Sequence, residues 1–261
     1  MAQTIDQVPI EGTPEISKYK FTCDKPISKD IPIPLPGSRE GMFRMAVIGK
    51  SGSGKTNLVR NLTEKAGPNR VYNKKFENVF YISPSCHTLD NKPKLPEDRF
   101  YKSIFDLPEI IDRIQTDDDL KGRTLLILDD VSHELKSAGQ NIIKRLFQNN
   151  RHLGVPIEDE EGNVEIPGSV SVIILAQRVV GLPRVIRAQI THWVLFDPRS
   201  VKSELETVFK EFIYCNKGTF NEILRLVYSD DPYAFLFIDT TRSKMYNCFN
   251  VELVVHCNQF L

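Results

Sequence analysis

Residues 45–60 read MAVIGKSGSGKTNLVR. An apolar run ends at Gly49, a loop with three glycines follows, and a helical pattern begins at Lys55-Thr56. Gly49, Lys50, Ser51, Gly52, Ser53, Gly54, Lys55 and Thr56 satisfy G-x-x-x-x-G-K-[ST]. Glycines let the backbone curl until successive N–H groups point inward as an anion nest. The helix that starts here adds the positive end of its dipole. Lys55 suits β- and γ-phosphate oxygens, and the Thr56 hydroxyl suits Mg²⁺. The stretch therefore predicts a nucleoside-triphosphate site, with strand before and helix after.

Outward from the loop, the chain alternates strand and helix. Apolar runs predict strands at 43–48, 78–83, 124–130, 169–176, 191–196 and 234–239. Helical patterns follow at 55–66, after Asp106 as N-cap, at 138–153, at 200–213 and at 219–228. The acidic segment VPIEDEEGNVEIPGS (155–169) reads as an exposed hairpin or loop. Residues 1–40 read as an extended, proline-rich arm, typified by IPIPLPG at 31–37. Such an arm lies on the surface or reaches a neighbouring subunit. Residues 41–261 then form one α/β domain with a mainly parallel sheet and helices on both faces.

Hydrolysis needs a carboxylate for the metal and a group that activates water. TLLILDD (124–130) ends a buried strand in two. Asp129 is the expected metal partner and Asp130 the expected base. Gln177 closes the apolar strand SVSVIILA, and in a parallel sheet its tip would lie beside Asp129. An arginine completes such a site; Arg151, Arg178, Arg184 and Arg187 are the candidates. The extra strand between loop and carboxylates, the second carboxylate beside the expected metal ligand, and the lack of an N-K-x-D in NKPK (91–94) and NKGT (216–219), favour the additional-strand ATPase branch of the P-loop NTPase fold.

Composition adds bounds. Lys plus Arg and Asp plus Glu number 34 each, so a surface for nucleic acid must be local. The cysteines are scattered, with no CxxC pair, as in a reducing compartment. The longest apolar runs are strand-sized, so no membrane span is expected.

FRMAVIGKSGSGKT (43–56), LLILDDV (125–131), NRHLG (150–154) and IILAQR…LPRVIRAQITHWVLFDP (173–198) together resemble the genome-packaging ATPases of nucleocytoplasmic large DNA viruses, poxviruses included, in the FtsK–HerA group. The likeness spans roughly 42–240. It implies ATP and Mg²⁺ as cofactors, Lys55, Asp130, Gln177 and Arg151 as catalytic residues, and Thr56 and Asp129 at the metal. Arg151 becomes the finger offered to a neighbouring subunit. Expected partners are double-stranded DNA, further copies in a ring, and capsid or portal-site proteins. Expected locations are the cytoplasmic virus factory of the host and the virion. One departure is clear: in the poxvirus proteins the Arg-His pair runs almost directly into the sensor strand, whereas 155–169 intervenes here. Two other readings remain, a P-loop kinase of a nucleotide or metabolite and an ATP-dependent assembly factor. A kinase needs an arginine-rich lid, and only VVGLPRVIRAQ (179–189) is arginine-rich.

Overall fold

The computed structural model describes residues 3–9, 15–16, 21–22, 33–34, 42–63, 71–72, 75–85, 93–137, 145–199, 201–229 and 231–257. Its strands begin with β1 (Gln3–Pro9), β2 (Glu15–Ile16), β3 (Phe21–Thr22) and β4 (Arg44–Ile48), before helix α1 (Lys55–Thr63). Strands β5 (Asn78–Ile82) and β6 (Phe100–Tyr101) lead to α2 (Leu107–Thr116), β7 (Arg123–Asp129) and α3 (Ser132–Ser137). The small strands β8 (Ile157–Glu158) and β9 (Val164–Ile166) precede β10 (Ser169–Ala176), α4 (Arg184–Arg187) and β11 (His192–Phe196). Helices α5 (Lys202–Phe212) and α6 (Lys217–Val227) come before β12 (Phe235–Asp239), β13 (Lys244–Asn247) and β14 (Val251–Cys257).

A ten-stranded sheet runs in the order β1-β14-β13-β12-β11-β4-β10-β7-β5-β6. From β11 to β6 the strands are parallel. Beyond β11 the sheet continues antiparallel through β12, β13, β14 and β1. The six strands expected from the sequence are β4, β5, β7, β10, β11 and β12, each within a residue. They were legible because both their faces are covered, so they read as unbroken apolar runs; all eight residues of β10 are buried.

Side chains alternate across the sheet. Met45 and Val47 face Leu58, Val59 and Leu62 of α1. Ala46 and Ile48 face the opposite layer, which contains Ile110, Ile111 and Ile114 of α2 with Val208 of α5 and Phe220 and Ile223 of α6. Among the described residues no helix is long and apolar enough to cross a membrane.

Several local expectations change. The start of the expected arm is a strand: Gln3–Pro9 pairs in register with Val251–Cys257 at the sheet edge, where Pro9 costs no internal ladder bond. Most of the remaining arm lies outside the described residues. Asp106 does not cap α2 with its side chain. Ser103 and Asp106 instead form a capping box on the turn Ile104–Asp106 that feeds into it. Of the helix expected at 138–153, residues 138–144 lie outside the described set, 145–148 are helical, and Asn150–His152 form a 3₁₀ turn.

The acidic segment is a hairpin, β8 on β9, standing on a pinched base. A Cβ on Gly168 would lie 2.2 Å from the Gly154 carbonyl oxygen, so the two chains can cross there only with glycine. The excursion therefore returns to where it left. Asn150 Nδ2 still donates to the Val170 carbonyl at 3.1 Å.

Candidate nucleotide site

Strands β4, β10 and β7 end side by side. Ala176 is in register with Ile48, and Leu175 with Asp129. The next residues, Gly49, Gln177 and Asp130, hence emerge at one edge of the sheet, at the carboxyl ends of parallel strands where α/β proteins place ligands. Two bonds to β10 fix this edge: Gly49 N to Ala176 O at 3.1 Å and Asp130 N to Leu175 O at 3.4 Å.

The loop curls as its composition predicts. Gly52 (φ 76°) and Gly54 (φ 99°) take the left-handed region, and Ser53 N donates to Lys50 O at 3.2 Å. Gly49 is required for another reason: a Cβ there would fall 2.5 Å from Ser53 Oγ and 2.8 Å from Phe196 Cβ. The Lys55 ammonium reaches back to the Gly49 and Lys50 carbonyl oxygens at 2.7 and 3.1 Å, putting its charge inside the loop. Burial pulls its pKa down, and Asp129 and Asp130 partly offset this.

Asp129 is buried at the tip of β7. Its carboxylate accepts hydrogen bonds from the Tyr81 hydroxyl and from the Thr56 side chain. Burial pushes its pKa up; the Tyr81 bond, Lys55 and Thr56 pull it down, while Asp130 pushes it up. In an extended strand the next side chain would turn to the opposite face. Asp130 escapes that alternation because its backbone is left-handed, φ 57°. A non-glycine residue pays about 1–2 kcal/mol for such a conformation. Here it turns a second carboxylate into the same pocket.

That pocket, about 380 Å³, is lined by Ser51, Gly52, Gly54, Lys55, Thr56, Asp129, Asp130 and Gln177. Gly49, Lys50 and Ser53 shape the loop behind it. Asn57 and Ser85 also line it and were not foreseen, nor was Tyr81. The cue for Tyr81 and Ser85 was available: polar groups within and just after the otherwise apolar strand at 78–83.

The candidate arginines separate. Arg187 is forked onto Glu211 at 2.7 and 2.8 Å. Arg178 pairs with Glu204 at 3.0 Å. Arg184 is exposed. The side chain of Arg151 lies outside the described residues, but its turn is placed by Asn150 on Val170. Val170 and Ala176 stand at opposite ends of β10, six residues apart, so the turn lies roughly 20 Å from its own phosphate loop.

Comparison with solved structures agrees on the architecture. The genome-packaging NTPase B204 of Sulfolobus turreted icosahedral virus 2, in complex with AMPPCP, superposes with a TM-score of 0.56 at 17% identity, covering 79% of this chain and 97% of that one. The chain has the fold of the P-loop NTPases. The same B204 in complex with ATP-gammaS gives a TM-score of 0.55 at 17% identity, over 79% and 96% of the two chains. B204 of Sulfolobus turreted icosahedral virus, a DNA-packaging ATPase, gives 0.56 at 15% identity, over 79% and 96%. The family model of the NACHT domain matches residues 44–161, which takes in the loop and both aspartates of this chain and ends before Gln177. No curated protein matches it in sequence.

Proposed function

We propose that this NTPase is an ATP-hydrolysing motor that drives double-stranded DNA into a preformed viral capsid, working as a ring. The observation that carries the reading is the convergence of Lys55, Thr56, Asp129, Asp130 and Gln177 on one pocket at the tips of β4, β7 and β10. The likeness of fold to B204 over most of both chains supports packaging as the work performed.

The pocket's groups divide the chemistry. Lys55 and the loop N–H groups bind and orient the triphosphate. The Thr56 hydroxyl and the Asp129 carboxylate, already hydrogen-bonded to one another, form an all-oxygen donor pair that suits Mg²⁺. Bound there, Mg²⁺ would neutralise phosphate charge. Asp130 takes a proton from the attacking water, the new bond forms at the γ-phosphorus, and its bond to the bridging oxygen breaks. Gln177 donates from the rim of the same pocket and reads whether the γ-phosphate is present.

The position of Arg151 supports a ring. A residue of the turn Asn150–His152, some 20 Å from its own loop, is placed to serve a neighbour's nucleotide. Arg178 and Arg187 are tied to Glu204 and Glu211, which counts against a mobile arginine lid and hence against the kinase alternative. The reading places the protein in the host cytoplasm where virions assemble, against a capsid or portal-site partner. The test is ATP turnover by the purified chain across a series of protein concentrations, with and without long duplex DNA. Turnover per subunit that rises with concentration and with duplex is expected; turnover indifferent to both would overturn the motor.

A further inference from the structure

The chain leaving Gln177 is held by a buried carboxylate. Glu204, on α5 and 4% exposed, accepts from Val179 N at 2.6 Å and from Arg178 Nε at 3.0 Å. Arg178 Nη2 also donates to Ser203 Oγ at 3.2 Å. Both partners of Glu204 are thus the residues directly behind the candidate sensor. A second grip lies two helical turns further along α5 and on the same face: Glu211 takes the fork of Arg187, whose Nη1 donates to Leu182 O at 2.7 Å. Helix α5 therefore holds the segment 178–187 at both ends.

A carboxylate out of water is costly unless every lone pair is used. An apolar residue would fill this place more cheaply if only packing were at stake. What the carboxylate adds is direction, because a charged acceptor shared between a backbone N–H and a guanidinium fixes two successive residues in one geometry.

We propose that Glu204 is a positioning residue for Gln177: by fixing the backbone at 178–179 it sets where the Gln177 amide stands over the nucleotide pocket, and it passes any shift of that amide on to α5. This rests on the hydrolytic reading above and deepens it. Helix α5 becomes the first body moved when the γ-phosphate is lost.

The test uses the full chain and steady-state ATP turnover with Mg²⁺. Glu204→Gln keeps an acceptor for Val179 N but loses the charge opposite Arg178. It is expected to lower kcat about tenfold with KM for ATP unchanged, since a slip near 1 Å in a positioned group costs up to about a hundredfold. Arg178→Ala leaves the Glu204–Val179 bond in place and is expected to cost about fivefold; it decides the matter if thermal melting shows Glu204→Gln to be misfolded. Each change combined with Gln177→Ala should give the turnover of Gln177→Ala alone, because residues acting through one another do not add. Additive losses, a loss confined to KM, or a kcat equal to wild type in both variants would overturn the proposal. A wild-type chain that hydrolyses no ATP would sink the hydrolytic reading and this proposal with it, whereas active wild type with unaffected variants sinks only this one.

Discussion

The hydroxyl of Tyr81 donates a hydrogen bond to the carboxylate of Asp129. Tyr81 is 1% exposed on β5, so the strand inserted between the loop and the twin aspartates also supplies a fixed donor behind the carboxylate proposed to hold the metal. The bond opposes the burial that pushes the Asp129 carboxyl up, and helps keep it ionised and aimed at Thr56. Tyr81→Phe keeps the ring and removes the donor. A hydrogen bond to a charged group contributes about 1.5–3 kcal/mol, a factor of roughly ten to a hundred. The expected result is an increase of about tenfold in the Mg²⁺ concentration needed for half-maximal turnover, with little change in melting temperature. A Mg²⁺ titration of ATPase activity measures it, and an unshifted midpoint would show that Tyr81 is only packing.

The two aspartates differ in surroundings, so their amides should differ in effect. Asp129 is buried against Tyr81 and Thr56, whereas Asp130 is exposed in a left-handed turn that asparagine also tolerates. Asp130→Asn is expected to bind nucleotide normally and to lose about 10²–10⁴ in kcat, as when a general base is removed. Asp129→Asn is expected to weaken Mg²⁺-dependent nucleotide binding instead. Fluorescent nucleotide titrations with and without Mg²⁺, beside turnover, separate the two; identical profiles would contradict the division of roles.

What the sequence made legible follows burial. The central parallel strands read as apolar runs because helices cover both faces, and the loop reads through glycines that must adopt positive φ. Of the antiparallel extension only β12 read. Residues Asp6, Gln7, Val8 and Pro9 of β1 are exposed, and β1 finds its partner at residues 251–257, across nearly the whole chain. No local pattern encodes such a pairing. In the site, residue types carried the nest, the lysine and the aspartates. The reach of Asp130 depends on a backbone twist, φ 57°, that its side chain does not announce. Glu204 falls within the helix expected at 200–213 with no local pattern to single it out, and only the fold brings it to Arg178 and Val179.

The edge on which Arg151 lies has a consequence for mixing experiments. Arg44 at the start of β4 donates to Asn150 Oδ1 at 3.0 Å, and Asn150 donates to Val170, so the turn Asn150–His152 is anchored at the end of the sheet remote from the pocket. Arg151→Ala and Asp130→Asn should each be nearly inactive alone. If Arg151 serves a neighbour, mixed rings contain sites with an intact pocket facing an intact arginine. Mixing equal amounts is therefore expected to restore a substantial fraction of wild-type turnover. Absence of any restoration, with assembly verified by light scattering, would remove Arg151 from the site.

Stability should carry a pH signature from one buried histidine. His192, at the start of β11, stacks on Phe237 with ring centroids 5.8 Å apart and lies edge-on to Phe43. Its Nε2 is 3.6 Å from Asp239, and its Nδ1 is 2.8 Å from Thr191 Oγ1. Burial lowers its pKa from 6.5 to about 4; Asp239 opposes the shift, and Arg242 and Arg44 add to it. The unfolded chain therefore takes up this proton at higher pH than the folded one. The contribution is complete above pH 6.5 and falls as pH drops from 6.5 towards 4, by no more than ~1.4 kcal/mol per pH unit for one proton. Urea unfolding at pH 7.5, 6.5 and 5.5 is expected to show a loss below pH 6.5 that His192→Phe, which keeps the aromatic stacking and cannot titrate, reduces. Equal pH slopes in the two proteins would mean that the imidazole already carries its proton in the folded state.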